Sequence, residues 1–76
     1  MQLGRGRVNA AVPVLIKLLR EDSPQVRDAA ARALGLIGSA DSLDALQTAA
    51  LADDSKEVRQ SAQFAAEVIR SRFRSR

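Results

Sequence analysis

Residues 22–38, DSPQVRDAAARALGLIG, return thirty-two positions later as DSKEVRQSAQFAAEVIR at residues 54–70. A fixed internal period of this length constrains the fold more than any other feature of the chain, because each copy is then one supersecondary unit that stacks on the next. Sliding residues 9–40 over 41–72 in one ungapped register gives nine identities: Leu19/Leu51, Asp22/Asp54, Ser23/Ser55, Val26/Val58, Arg27/Arg59, Ala30/Ala62, Ala33/Ala65, Ile37/Ile69 and Ser39/Ser71. Conservative pairs such as Val14/Leu46 and Leu36/Val68 add to them.

Each unit reads as two helices. The spacing predicts a first helix over about 9–20, with Ala11, Val14, Leu15, Leu18 and Leu19 on one face and Pro13 in its opening turn, where a missing N–H is tolerated. EDSP breaks that helix. Ser23 followed by Pro24 is a good N-cap and first position, with Asp22 and Gln25 as an alternative box-like cap. The second helix runs to about Ile37 with Gly38 closing it, and its stripe is Val26, Ala30, Ala33 and Ile37. In the second unit, Asp41 or Ser42 starts a helix carrying Leu43, Leu46, Ala50 and Leu51. Ser55 or Asp54 then caps a last helix that buries Val58, Ala62, Ala65 and Ile69 and runs into an arginine-rich tail. Alanines at successive turns let helix axes approach closely. The expected fold is all-α, an α-solenoid of two helical hairpins and about four helices in a single domain. Residues 1–8 form an N-terminal arm or the remnant of a preceding unit, 9–40 repeat 1, 41–72 repeat 2 and 73–76 a basic tail.

Composition removes several function classes. In 76 residues there is no cysteine, which excludes disulfides and thiolate metal sites, and no histidine, the commonest metal ligand and general base. A core this small buries only about 60% of its unfolded surface, so it is marginal unless well packed or extended by a partner. No apolar run approaches a membrane span of about 20 residues, and the N-terminus lacks a signal-peptide apolar block. The expected location is cytoplasmic, with no membrane association. The net charge of +3 is concentrated at the ends, in Arg5, Arg7, Arg70, Arg72, Arg74 and Arg76.

AVPVLIKLLREDSPQVRDAAARALGLIG resembles a HEAT repeat, of the short type found in phycobilisome lyase-like proteins. The first unit follows the pattern nearly throughout. The second is looser, with Ala66-Glu67 in place of Leu-Gly and Arg70 in place of the closing Gly. The resemblance implies a right-handed stack of hairpins with the second helices on the concave face. It also implies stacking roles for four residues: Asp22 and Asp54 holding the turns, Arg27 and Arg59 reaching the adjoining unit.

No constellation points to catalysis. Glu21-Asp22 and Asp53-Asp54 are paired carboxylates, but they occupy equivalent turns where capping explains them. The di-iron chemistry of some HEAT-type enzymes needs histidines, and LGRGR lacks the features of a phosphate loop. The chain is therefore expected to be a non-catalytic protein–protein interaction module, an assembly or scaffold factor, with no cofactor and no metal. The alternatives are an accessory subunit or fragment of a bilin lyase, and non-specific nucleic-acid binding through the terminal arginines. Against nucleic acid stand the mixed charges of the second helices and the lack of aromatic platforms. Partner choice is expected at positions where the copies differ: Asp28 against Gln60, Arg32 against Phe64, and Glu67 against Gly35. Leu36, Val68 and Phe64 are expected on uncovered apolar end faces, inviting self-association. Phe73 is expected to fold back over the C-terminal face.

Overall fold

The computed structural model describes residues 2–74, with side chains from residue 10 onward. Arg5, Arg7 and Arg76 of the basic ends therefore lie outside the described side chains. Four α-helices follow one another: α1 (Gln2–Leu18), α2 (Pro24–Ile37), α3 (Leu43–Ala52) and α4 (Lys56–Arg74), with a 3₁₀ turn at Ala40–Ser42 leading into α3. Among the described residues there is no strand, and no helix is long and apolar enough to cross a membrane. α1 pairs with α2 and α3 with α4, and α2 packs along α4, so the all-α stack of two hairpins is the observed architecture.

Local chemistry sets the boundaries of the second helices. The Val26 N–H donates to Ser23 Oγ (3.4 Å), with Pro24 at the first helical position, where its missing N–H costs nothing. Ser55 repeats the device, accepting from the Val58 N–H at 3.3 Å. Of the two caps open at each turn, serine is therefore the one used. α2 stops at Gly38, whose φ of 75° lies in the left-handed region that glycine adopts without penalty. The equivalent of Gly38 in the second unit is Arg70, and α4 runs past it to Arg74. The Arg72 guanidinium then lies against Gly38, in the space a side chain there would need.

The first helices depart from expectation. α1 begins at Gln2 rather than near Asn9 and places Pro13 in its interior, where it removes one ladder hydrogen bond. It ends at Leu18, its last turn tightening into i→i+3 bonds from Arg20 to Lys17 (3.0 Å) and Glu21 to Leu18 (3.2 Å). α3 opens directly after Ser42, which holds its N-cap position but makes no side-chain cap bond. Ser39 caps the 3₁₀ turn through the Asp41 N–H, and buried Ser42 donates to the Ser39 carbonyl at 2.8 Å.

The core joins Val12, Leu19, Ala30, Ala31, Leu34, Leu46, Ala49, Ala62, Ala65, Ala66 and Ile69. The stripe expected for α4 is buried in full, Val58, Ala62, Ala65 and Ile69 together. That for α2 is rotated: Ala30, Ala31 and Leu34 are buried, while Val26 is exposed. Val14 and Leu51, expected on buried faces, are 58% and 85% exposed, and Val12 and Ala49 are buried instead. The rotation has one cause. α2 must meet α4 as well as α1, and α4 draws the Ala31–Leu34 side inward, whereas Val26 is left 36% exposed.

Candidate functional site

Two arrangements stand out where the units meet. The first is a ladder of charge along the helix–helix turns. Arg27 Nε and Nη2 donate to Asp53 Oδ2 (2.8 Å) and Oδ1 (3.1 Å), a bidentate pair across the unit boundary. Nη2 also donates to Asp54 Oδ1 (2.9 Å), and Nη1 to the carbonyls of Glu21 (2.6 Å) and Asp22 (2.9 Å). The Arg27 and Asp53 side chains are 12% and 8% exposed, so solvent screens this pair little. Burial pushes the Asp53 carboxyl up, but the Arg27 guanidinium and the Ser55 N–H (2.9 Å) outweigh it and hold the group below the usual carboxylate range. The Arg27 guanidinium is in turn raised, chiefly by its hydrogen bond to Asp53.

Arg59 repeats only the inner half of this pattern. Its Nη1 donates to the Asp53 carbonyl at 2.7 Å, the counterpart of Arg27 to Glu21, and among the described residues no carboxylate meets its remaining donors. Of the four residues expected to hold the stack, Arg27 thus crosses the boundary, Arg59 binds its own turn, Asp54 is an outer contact, and Asp22 contributes its carbonyl. Asp53 is the acceptor that sequence reasoning missed. The signal was present: an acidic pair stands at the same distance before the arginine in both copies, but the first member of each pair differs, Glu21 against Asp53, and so it fell out of the list of identities.

The second arrangement is a groove between α2 and α4, about 520 Å³, lined by Arg32, Gly35, Leu36, Gln60, Ser61, Phe64, Ala65 and Val68. Its floor exists because Gly35 lacks a side chain: a Cβ there would stand 2.9 Å from Ala65 Cβ and 3.2 Å from its Cα. Leu36 (84% exposed) and Phe64 (71%) flank that floor. Three of the five residues expected to choose a partner, Arg32, Gln60 and Phe64, meet here. Asp28 is turned into the unit boundary, where it accepts from Ser61 Oγ and pairs with Arg32 Nε at 3.2 Å. Glu67 lies on another surface, beside Gln47, Leu51, Gln63 and Arg70. Gly35, grouped with Glu67 as a position free to vary, is a point of closest helix approach. Leu36, Val68 and Phe64 come together in this lateral groove rather than on the end faces, and Phe73 remains 53% exposed instead of folding away.

A family model described as HEAT repeats matches residues 1–67. No curated protein and no solved structure shows significant similarity to the chain.

Proposed function

The chain belongs to the HEAT-repeat family, and from that premise we propose that it binds another protein through the groove between α2 and α4. HEAT repeats are generally protein-interaction modules and typically non-catalytic. The observation that carries the reading is the apolar groove itself: a glycine–alanine floor, with Leu36 and Phe64 exposed at its sides. Large apolar side chains held in water around a preformed concavity mark a docking surface. The fitting occupant is an amphipathic helix that lays one apolar ridge over Gly35 and Ala65. Arg32 and Gln60, at the groove's rim, supply polar contacts that set its register. Because Arg32 is paired with Asp28, the groove does not present the unbroken positive stripe that a phosphate backbone requires, which favours protein over nucleic acid.

The test is selection of helical peptides from a random display library against the intact protein, followed by NMR mapping of the bound peptides. Selected peptides are expected to shift Leu36, Phe64, Ala65 and Val68 and to lose binding to Phe64→Ala, while Leu51→Ala binds as the native protein does. Binding that survives both Phe64→Ala and Leu36→Ala refutes the groove. The finer reading, a relative of phycobilisome lyases acting as an assembly or scaffold factor or as an accessory subunit, rests on the A-V-P-x-L and V-R-x-x-A-A-x-A-L-G patterns. Pigment transfer on mixing with a bilin and a phycobiliprotein subunit would support it, and a spectrum unchanged from the free bilin would dismiss it.

A further inference from the structure

The boundary between the two units is a template for what each outer face is ready to meet. On its first-unit side, Val12, Leu19, Ala31 and Leu34 are buried, Ile16 is half-buried, and Gly35 touches Ala65. Thirty-two residues on, the counterparts of Val12, Ile16, Ala31 and Gly35 are Asp44, Thr48, Gln63 and Glu67. All four are exposed. Leu51, the counterpart of Leu19, is the large apolar side chain left on this outer side, beside the small Ala50 and Ala66 that stand in the places of Leu18 and Leu34. A glutamate in the place of Gly35 also holds off any further helix at the separation seen between α2 and α4, since even a bare Cβ meets Ala65 there at 2.9 Å. A polar outer face is what a terminal repeat carries.

The opposite side is the reverse. Leu46 and Val58, both 0% exposed at the boundary, correspond to Val14 and Val26, which are 58% and 36% exposed on the outer side of the first unit. Cover within a hairpin is available to both units, so the difference is the missing neighbour. Exposed Ala29 and half-buried Ala33 extend this surface. Lys17, in the place of Ala49, is a charge among the described residues of this face, and its stem can lie along it with the ammonium at the rim. At the edge stand Glu21 and Asp22, the counterparts of the Asp53–Asp54 pair that receives Arg27. Among the described residues no side chain pairs with their carboxylates.

We propose that the second unit is a terminal cap and that the outer face of the first unit is a docking surface for a helical hairpin of another protein. The second helix of that hairpin carries Arg-x3-Ala-x2-Leu-Gly, the pattern with which Arg27, Ala31, Leu34 and Gly35 meet the second unit. Its arginine reaches Glu21 and Asp22, its glycine lies against Ala33, and its leucine covers the valines. α1 is helical straight through positions 6–10, where the repeat elsewhere places its Gly38–Ser42 link, so no hairpin is joined to this face by the link that joins the two units, and a second chain is the occupant proposed for it. This surface is distinct from the α2–α4 groove, and either stands without the other.

The test gives the protein the missing pattern itself. The full chain carrying Asp44→Val, Thr48→Ile, Gln63→Ala, Ala66→Leu and Glu67→Gly has an uncapped second unit that should dock on the first unit of the next copy. Such a heterologous contact does not close and grows head-to-tail. Sedimentation velocity is expected to show a mean mass rising with concentration to several times that of the native protein, and Val26→Asp in the same background to return it to the native value. An uncapped variant that sediments like the native protein overturns the proposal. So does assembly that persists with Val26→Asp, or native assembly that Leu51→Lys abolishes. If far-UV circular dichroism shows the fivefold variant unfolded, the pair Gln63→Ala and Glu67→Gly, which leaves α3 and buried Ala66 untouched, carries the same test.

Discussion

Gly35→Ala sets two effects of opposite sign against each other, and the geometry decides between them. Alanine gains about 1 kcal/mol over glycine in a helix interior. Its Cβ, however, would stand 2.9 Å from Ala65 Cβ and 3.2 Å from Ala65 Cα, well inside the contact distance of about 3.5–4.0 Å for carbon atoms. The nearer obstacle is a methyl group fixed to buried backbone, so relief requires α2 and α4 to part. Overpacking costs about 1–3 kcal/mol, and with no flexible neighbour to yield, the upper half of that range applies, about 2–3 kcal/mol. The net is a loss of about 1–2 kcal/mol, or a fall in Tm of about 4–16 °C for a domain of this size. Ala65→Gly alone loses about 1 kcal/mol of propensity and about 1 kcal/mol of methyl burial. The double variant removes the Cβ–Cβ clash but keeps the 3.2 Å approach to Cα, and should sit about 1–2 kcal/mol below the native protein, a coupling of about 1–3 kcal/mol between the two sites. Urea denaturation followed by circular dichroism, extrapolated linearly, measures all four corners of the cycle. A stabilised Gly35→Ala protein, or additivity within about 0.5 kcal/mol, would refute the close approach.

Two further outcomes follow from the ladder and the core. The Asp53 carboxyl titrates below its unfolded value, so its contribution to stability is complete above about pH 4 and is lost as pH falls through the lower folded value. Asp53→Asn should therefore be less stable than the native protein at neutral pH, with urea midpoints that converge below about pH 4; a gap that stays constant with pH would show that Asp53 acts through packing alone. Leu46→Ala, at a fully buried position, should cost about 2–5 kcal/mol, while Leu51→Ala, 85% exposed in the same helix, should stay within about 0.5 kcal/mol in the same assay.

What could be read in advance was whatever depends on a residue and its near neighbours along the chain. The serine caps, Pro24 at the head of α2 and Gly38 at its end are local hydrogen-bonding and backbone problems, and the structure solves each with the residue expected. The buried stripe of α4 was legible too, because α4 packs against both α2 and α3 and its 3.6-residue pattern is complete. Val14, Val26 and Leu51 were misplaced because periodicity marks a helix face as apolar without saying whether a neighbour stands over it. For the groove, Arg32, Gln60, Phe64 and Gly35 are legible as differences between the copies, but the meeting of Gly35 with Ala65 that makes its floor is not. Gly35 against Ala65 is a contact across thirty positions, invisible to any window of one unit.

The same argument separates the letters of the repeat from the roles they play. Arg27 and Arg59 are identical residues at identical positions, each bonded through Nη1 to a carbonyl of its own turn. Only Arg27 has a carboxylate pair beyond it, because only the first unit has a second unit on that side. Val26 and Val58 divide in the opposite sense, one 36% exposed and one sealed, because among the described residues only the second unit has a unit packed before it. Position in the stack therefore assigns the role, and identity between copies records only that the hairpin is built in one way. The differences carry the complementary message. Gln63 and Glu67 stand in mid-helix as Ala31 and Gly35 do, so their polarity answers to the outer face, whereas Asp44 also lies in the first turn of α3, where a carboxylate is favoured.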